Sequence, residues 1–388
     1  MIMNDQEMLE DLKLTRNLSQ RTQAQYKQTI KSYTSFNSLN FQELLDEAEA
    51  EEEQGIRWKH RKIKNRLIQF KHYLINNYKK KTVKTYFSII IRIYKHYEIE
   101  IHQLPHVSEK NMKDNPPVSF NDLPDKKIIK KALKITTPVM RAIILFMVST
   151  GCARNETLHI TIQDFIDATK DYHNSNDIYE VLNTLKDRED IVPMFKIKRR
   201  KTGKHYYTFS TPEATTETIN YLLSKDIKLK PNDTLFKYNH DHFSRIFTDI
   251  NTALGLGKIG SYGRFRSHML RKFHASSLYN HDNGLDMDMI NALQGKTKNS
   301  TDESYFMENP EDLKKAYIKA MDCLCINLDV NNLNIKTPEY LEMENKVVEA
   351  ENIKNEMEDL KKRIMAIEQD DHIRQYETPN SIKQKHQI

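Results

Sequence analysis

The 388-residue sequence predicts a mainly α-helical protein with one small antiparallel β-sheet, an α+β class in two domains with a charged tail. Apolar residues recur at three-to-four spacing over much of the chain, as expected of helices with one buried face. The period drops to two near residues 191–209, where a hairpin is expected. Pro105, Pro116, Pro117 and Pro124 fall close together and mark an extended linker, because proline removes a backbone donor and fixes φ.

In order, residues 22–104 read as helices without a strand. Tyr26, Ile30, Tyr33 and Phe36 form one apolar stripe, and Ile63, Leu67, Phe70 and Leu74 a second. A third segment, Thr82 to His96, carries Val83, Tyr86, Ile89, Ile90 and Ile93 with basic residues between them. The resulting domains are 1–105, helical, then a linker 106–121, then 122–330. The run Val139 to Val148 is interrupted by Arg141 and is shorter than the ~20 residues that span a bilayer, so it is a buried core helix. Ile191 to Lys198 and Tyr206 to Phe209 are β-prone, with Thr202-Gly203 as a two-residue turn. Helices follow from Pro212, at His242–Leu254, at Ser267–Asn280 with Ser267 as cap, at Asp286–Leu293 and at Glu311–Leu324. In the tail, 338–388, Ile353, Met357, Leu360, Ile364 and Ile367 alternate by four and three. That seam suits either a coiled coil or a lone amphipathic helix docking on its own chain. Asp370 to Ile388 reads as disordered.

Charged residues make up 29% of the chain and apolar residues 38%, with a net charge of +6. The distribution says more than the sum. From Arg57 to Tyr97 there are thirteen Lys or Arg and no Asp or Glu, directly after the acidic run Glu51, Glu52, Glu53. Such clustering builds a field that attracts a polyanion, and double-stranded DNA is the partner it suggests. Candidate contacts are Arg57, Lys59, Arg61, Lys62, Lys64, Lys79, Lys80, Lys81 and Lys84, with Lys198, Arg199, Arg200 and Lys204 in a second cluster. Cys152, Cys323 and Cys325 form no CxxC pair and no even framework, which fits a reducing compartment. Met1 to Asp11 is polar and acidic rather than a signal peptide, so a cytoplasmic protein with no membrane span is expected.

Several cationic residues stand at glycines, turns or helix starts. Arg154 follows Gly151, with Glu156 two residues on; the planar arginine fork suits two phosphate oxygens. Lys201 stands at the expected hairpin tip, where a lysine can reach a DNA groove and protonate a leaving oxygen. His268 and Arg271 are three apart and share a helix face. Lys296 follows Gly295, and Tyr305 lies in the polar stretch Asp302 to Phe306. Tyrosine is neutral near pH 7, with a pKa of about 10, and nearby cations would favour its phenolate.

Taken in order, Arg154 after Thr150-Gly151, Lys201 in Arg199-Arg200-Lys201-Thr202-Gly203-Lys204, His268-Met269-Leu270-Arg271 and Gly295-Lys296 ahead of Tyr305 resemble the tyrosine recombinase (phage integrase) family. The resemblance covers roughly Asp122 to Leu328, and the basic helical segment before it is similar to that family's core-binding domain. Ile191-Val192-Pro193 and Tyr207-Thr208-Phe209 are similar to archaeal and archaeal-virus members. The resemblance implies a site-specific recombinase of a mobile element that needs neither ATP nor a hydrolytic metal, and no cofactor. Tyr305 would attack the scissile phosphate, Arg154 and Arg271 would clamp it, Lys201 would be general acid and His268 would assist proton movement. A tetramer on two DNA sites is implied as well. Two departures stand out. The family places arginine two residues after the glycine, where this chain has Ala153, and histidine or tryptophan after the second glycine, where it has Lys296. Lysine donates to phosphate but cannot accept a proton. These departures leave open a DNA-binding or regulatory protein without activity; a type IB-like topoisomerase is a neighbouring reading. A metal-dependent nuclease is disfavoured, since no ligand cluster has metal spacing and His240-Asp241-His242 reads as a helix start.

Overall fold

A computed structural model describes residues 5–107, 112, 114–296, 309–327, 343, 346–347, 350 and 353–363. The chain divides into two compact units, Met1–Pro117 and Val118–Ile388.

The first unit holds helices α1 (Asp5–Arg16), α2 (Gln20–Asn37), α3 (Phe41–Glu53), α4 (Lys62–Asn77) and α5 (Lys80–His96). Its core contains both apolar stripes read from the sequence and is centred on Tyr33, whose ring stands edge-on to Phe70 at 4.8 Å. The Tyr33 and Tyr94 hydroxyls bond to each other at 3.1 Å, and burial raises both pKa values, so each keeps its proton. The acidic helix α3 partly neutralises the basic run that follows it. Arg66 forks onto Glu47 at 2.7 and 3.0 Å, and the arginine hydrogen bond pulls the Glu47 carboxyl below its usual range. The Glu51 carboxylate accepts the Lys62 backbone N–H at 2.9 and 3.0 Å, filling one of the donor vacancies at the start of α4. Arg61 departs from expectation. It is 8% exposed, bonded to Glu52 at 2.5 Å and to the Ile56 carbonyl at 2.8 Å, so it ties α3 to α4 and is not available to DNA.

The second unit contains α6 (Lys126–Lys134), α7 (Pro138–Thr150), α8 (Arg154–Thr157), α9 (Ile162–Ala168), α10 (Ile178–Leu185), the hairpin β1 (Met194–Lys198) and β2 (His205–Phe209), α11 (Pro212–Leu223), α12 (His240–Ala253), the short hairpin β3 (Lys258–Ile259) and β4 (Tyr262–Gly263), α13 (Ser267–Tyr279), α14 (Met287–Leu293) and α15 (Pro310–Ala320). Helix α7 is the apolar run. It packs against α11 and α13, and Arg141 escapes the core by pairing with Glu217 of α11 at 2.7 Å.

The last carbonyls of a helix have no partner within it, and here four side chains from three other segments supply them. His274 Nδ1–H donates to Val148 O at 3.1 Å, Tyr317 OH to Ser149 O at 2.9 Å, Thr208 Oγ to Thr150 O at 2.7 Å and Arg271 Nη1 to Gly151 O at 2.5 Å. The end of α7 is thereby knitted to α13, β2 and α15. Gly151 closes the helix in the left-handed region at φ +64°, and a Cβ there would lie 2.6 Å from Cδ2 of His274.

Some local expectations need correction. The hairpin loop is six residues rather than two, because Lys198 pairs with His205. The Arg199 carbonyl accepts from both Thr202 and Gly203, curling the loop before it returns. Ser267 is the first residue of α13 and not its cap; Arg266 precedes it with no capping side-chain bond. The segment 311–324 is α15 followed by a 3-10 turn, Met321–Leu324. Hairpin β3–β4 is too short to carry an alternating pattern. In the tail, 353–363 is helical with Ile353, Met357 and Leu360 exposed, while Ile364, Ile367 and 370–388 lie outside the described residues. No described helix is long and apolar enough to cross a membrane.

Candidate active site

The knitted end of α7 places a group of charges around Glu156, the third residue of α8. Its carboxylate is 6% exposed and accepts the Ala153 backbone N–H at 2.6 Å and the Tyr206 hydroxyl at 3.3 Å. Two guanidinium groups flank it. Arg271 Nη1 lies 3.6 Å from Oε2, and Arg199 Nε lies 3.8 Å from Oε1. Arg271 is 8% exposed and also donates Nη2–H to Gln294 O at 2.5 Å, while Gln294 returns a bond to the Arg271 carbonyl at 3.0 Å. Arg199 Nη1 donates to Gly295 O. The turn 294–296 is thus held from two sides by arginine.

Gly295 is required there. Its φ is +58°, and an added Cβ would lie 2.6 Å from Cε1 of the Tyr206 ring. The turn delivers Lys296 half-buried beside both arginines. Burial first, then repulsion from Arg271 and Arg199, lowers its ammonium pKa. Beneath the site, burial drops the His274 imidazole to about 3, so it is neutral and serves as an Nδ1–H donor. Its Nε2 is buried without a described partner.

The other expected residues fall in different places. His268 is exposed on the first turn of α13, one turn ahead of Arg271. Lys201 is exposed in the six-residue hairpin loop. Arg154 is not brought to the cluster: its Nη1 bonds Ser244 Oγ of α12 at 2.6 Å. Tyr305 lies outside the described residues. Tyr317, the nearest tyrosine after it, is fully buried, bonded to Ser149 O and pushed up in pKa by burial, so it is a structural hydroxyl. Among the described residues no His, Cys, Asp or Glu group could hold a metal ion.

Of the candidate DNA contacts, Arg57, Lys59, Lys62, Lys79, Lys81, Lys84, Lys198 and Arg200 are exposed, and Lys64, Lys80 and Lys204 are half-buried. Lys84 and Arg92 border a shallow groove between α2 and α5, with Thr22, Gln25, Thr85 and Ser88.

Sequence reasoning took Arg199 for a DNA contact and gave no place to Tyr206 or Gln294. The signal for Arg199 was present. Phe195 and Ile197 are buried, Lys196 and Lys198 exposed, and residue 199 continues the inward series at period two.

Three solved structures are similar to the chain at low identity. The XerH site-specific recombinase bound to difH substrate in a pre-cleavage complex is 16% identical over 80% of this chain and 83% of its own, with a TM-score of 0.46. A lambda integrase dimer bound to a COC′ core site is 13% identical over 79% and 80%, at 0.48. A lambda integrase tetramer bound to a Holliday junction is 14% identical over the same shares, also at 0.48. None of the curated proteins matches the chain. Residues 125–311 match the model of the phage integrase family, a stretch that spans Glu156, Arg199, Arg271, Lys296 and Tyr305. Over that stretch the chain is similar to the phage integrase family.

Proposed function

We propose that the chain is a site-specific DNA recombinase that cuts and rejoins double-stranded DNA through a covalent 3′-phosphotyrosyl intermediate, for integration or excision of a mobile element. The observation that carries this reading is the family match over 125–311, the stretch that contains the buried cationic cluster. The Tyr305 hydroxyl attacks the scissile phosphorus, the bond to the 5′-oxygen breaks, and Lys201 gives the leaving oxygen its proton. Arg271 and Lys296 stabilise the charge that builds on the non-bridging oxygens, and they do so most strongly where water is excluded. Exposed His268 assists proton movement at the rim. Because the phosphodiester energy is kept in the phosphotyrosyl bond, attack by a 5′-hydroxyl of a second strand reseals DNA without ATP.

The basic helices α4 and α5 of the first unit, a core-binding domain on this reading, hold the duplex by its phosphates, with Lys84 and Arg92 as inner contacts. The second unit, 122–330 by the sequence reading, is the catalytic domain. Four copies on two sites are needed for exchange, an assembly of the kind named for lambda integrase on a Holliday junction. The three free thiols suit work in the cytoplasm.

The test is incubation with nicked duplexes tiled across the DNA beside its gene, in EDTA. A denaturant-resistant adduct is expected from wild type and not from Tyr305→Phe. DNA binding with no adduct on any duplex would instead favour a regulatory protein, a reading supported by Ala153 and by the bond of Arg154 to Ser244.

A further inference from the structure

We propose that Arg199, and not Arg154, is the second guanidinium of the phosphate cradle, acting with Arg271 and Lys296 on one tetrahedral oxyanion. Identifying that oxyanion as the scissile phosphate rests on the recombinase reading above; the cradle itself rests on geometry.

Three observations converge on it. First, Arg199 and Arg271 approach opposite oxygens of the same carboxylate, Glu156, at 3.8 and 3.6 Å, so their heads share one small volume. Second, both donate to successive carbonyls of one turn, Arg271 to Gln294 and Arg199 to Gly295, and Lys296 comes next in that turn. A guanidinium has five N–H donors, so these bonds fix each head and leave further donors for a ligand. Third, the charges do not balance: Arg199, Arg271 and Lys296 stand against one carboxylate, a surplus of two positive charges. The lowered Lys296 pKa, caused in part by those two arginines, reports the same crowding, which an entering anion relieves. A surplus of two suits a phosphoryl centre whose charge rises to about two in the transition state.

The alternative arginine has none of these relations. Ala153 puts a methyl group where the family carries its guanidinium, and its backbone N–H binds Glu156. Arg154, one residue later, is directed to α12 and held by Ser244. Strand β1 supplies the missing cation because its inward series, Phe195, Ile197, Arg199, runs past the strand end toward Glu156.

The experiment uses the full chain and two readouts. Calorimetric titration with inorganic tungstate, a tetrahedral dianion, reads the cradle without DNA. Wild type is expected to bind, Arg199→Ala to bind about tenfold or more weakly, Arg199→Lys to recover part of the loss, and Arg154→Ala to stay within about threefold. Adduct formation on the nicked duplexes reads the reaction, where Arg199→Ala is expected to lose about a hundredfold in cleavage rate with DNA affinity nearly kept. Ala153→Arg placed in the Arg199→Ala background should restore part of both signals. Absent tungstate binding by wild type, or weakening by Arg154→Ala with Arg199→Ala unchanged, overturns the proposal. Should Arg199→Ala not fold, Arg199→Lys and Arg154→Ala still decide it by the same comparison. A wild type that binds tungstate in this pattern yet never forms an adduct would sink the recombinase reading while leaving the cradle standing.

Discussion

Lowering the pH from 7.5 to 5 should cost the second unit about 2 kcal/mol of stability through one side chain, His274, by linkage over about 1.5 pH units. The imidazole is fully buried, gives its Nδ1–H to Val148 O, and has its pKa depressed to about 3. An unfolded chain restores a value near 6.5. Between those limits the unfolded state binds the extra proton, so this stabilisation is complete above pH 6.5 and declines as pH falls toward 3. The assay is urea unfolding of wild type and His274→Asn at pH 7.5 and pH 5. Asparagine keeps a donor near the Nδ1 position and does not titrate. The variant should be weaker at both pH values, because it leaves a void under Gly151, but its pH slope should be shallower by about 2 kcal/mol over the interval. His173, whose pKa burial also lowers, titrates in the same direction in both proteins and cancels. Equal slopes for the two proteins would refute the reasoning, as would a His274 ring proton that titrates near pH 6 by NMR.

Gly295→Ala combines a disfavoured positive φ with a Cβ 2.6 Å from a Tyr206 ring atom, so thermal unfolding should show a loss of about 2 kcal/mol or more. Tyr317→Phe should lose about 1–2 kcal/mol of stability with its buried bond to Ser149 O, yet still form the DNA adduct, readable on the same denaturing gel. Arg66→Met leaves Glu47 without its fork, and denaturant unfolding of the first unit should show a loss of about 1–3 kcal/mol.

The helices were legible because burial writes a period into the chain. Val83, Ile89, Ile90 and Ile93 line the buried face of α5, and Phe195 and Ile197 the inner face of β1. The same alternation pointed Arg199 inward, but a charge inside Lys198–Lys201 reads as one more solvated residue until a buried carboxylate is known to face it. What local spacing cannot express is partnership at long range. The Ser149 carbonyl meets a hydroxyl 168 residues away, and Arg271 reaches back 120 residues to Gly151. Likewise the acidic run before Arg57 read as a contrast that sharpened the basic field, whereas Glu52 and Glu47 occupy Arg61 and Arg66, and Glu51 accepts the Lys62 backbone N–H at the start of α4. The hairpin loop length escaped because the Thr202-Gly203 signal is local, while register is set by Lys198 pairing with His205.

The most direct test of the central claim is peptide mapping of the covalent complex. After trapping on nicked DNA, nuclease and protease digestion and mass spectrometry should find the 3′-nucleotide on the peptide containing Tyr305, with no adduct when Arg271 is replaced by alanine. A nucleotide carried by any other residue, or full adduct formation without Arg271, would contradict the account.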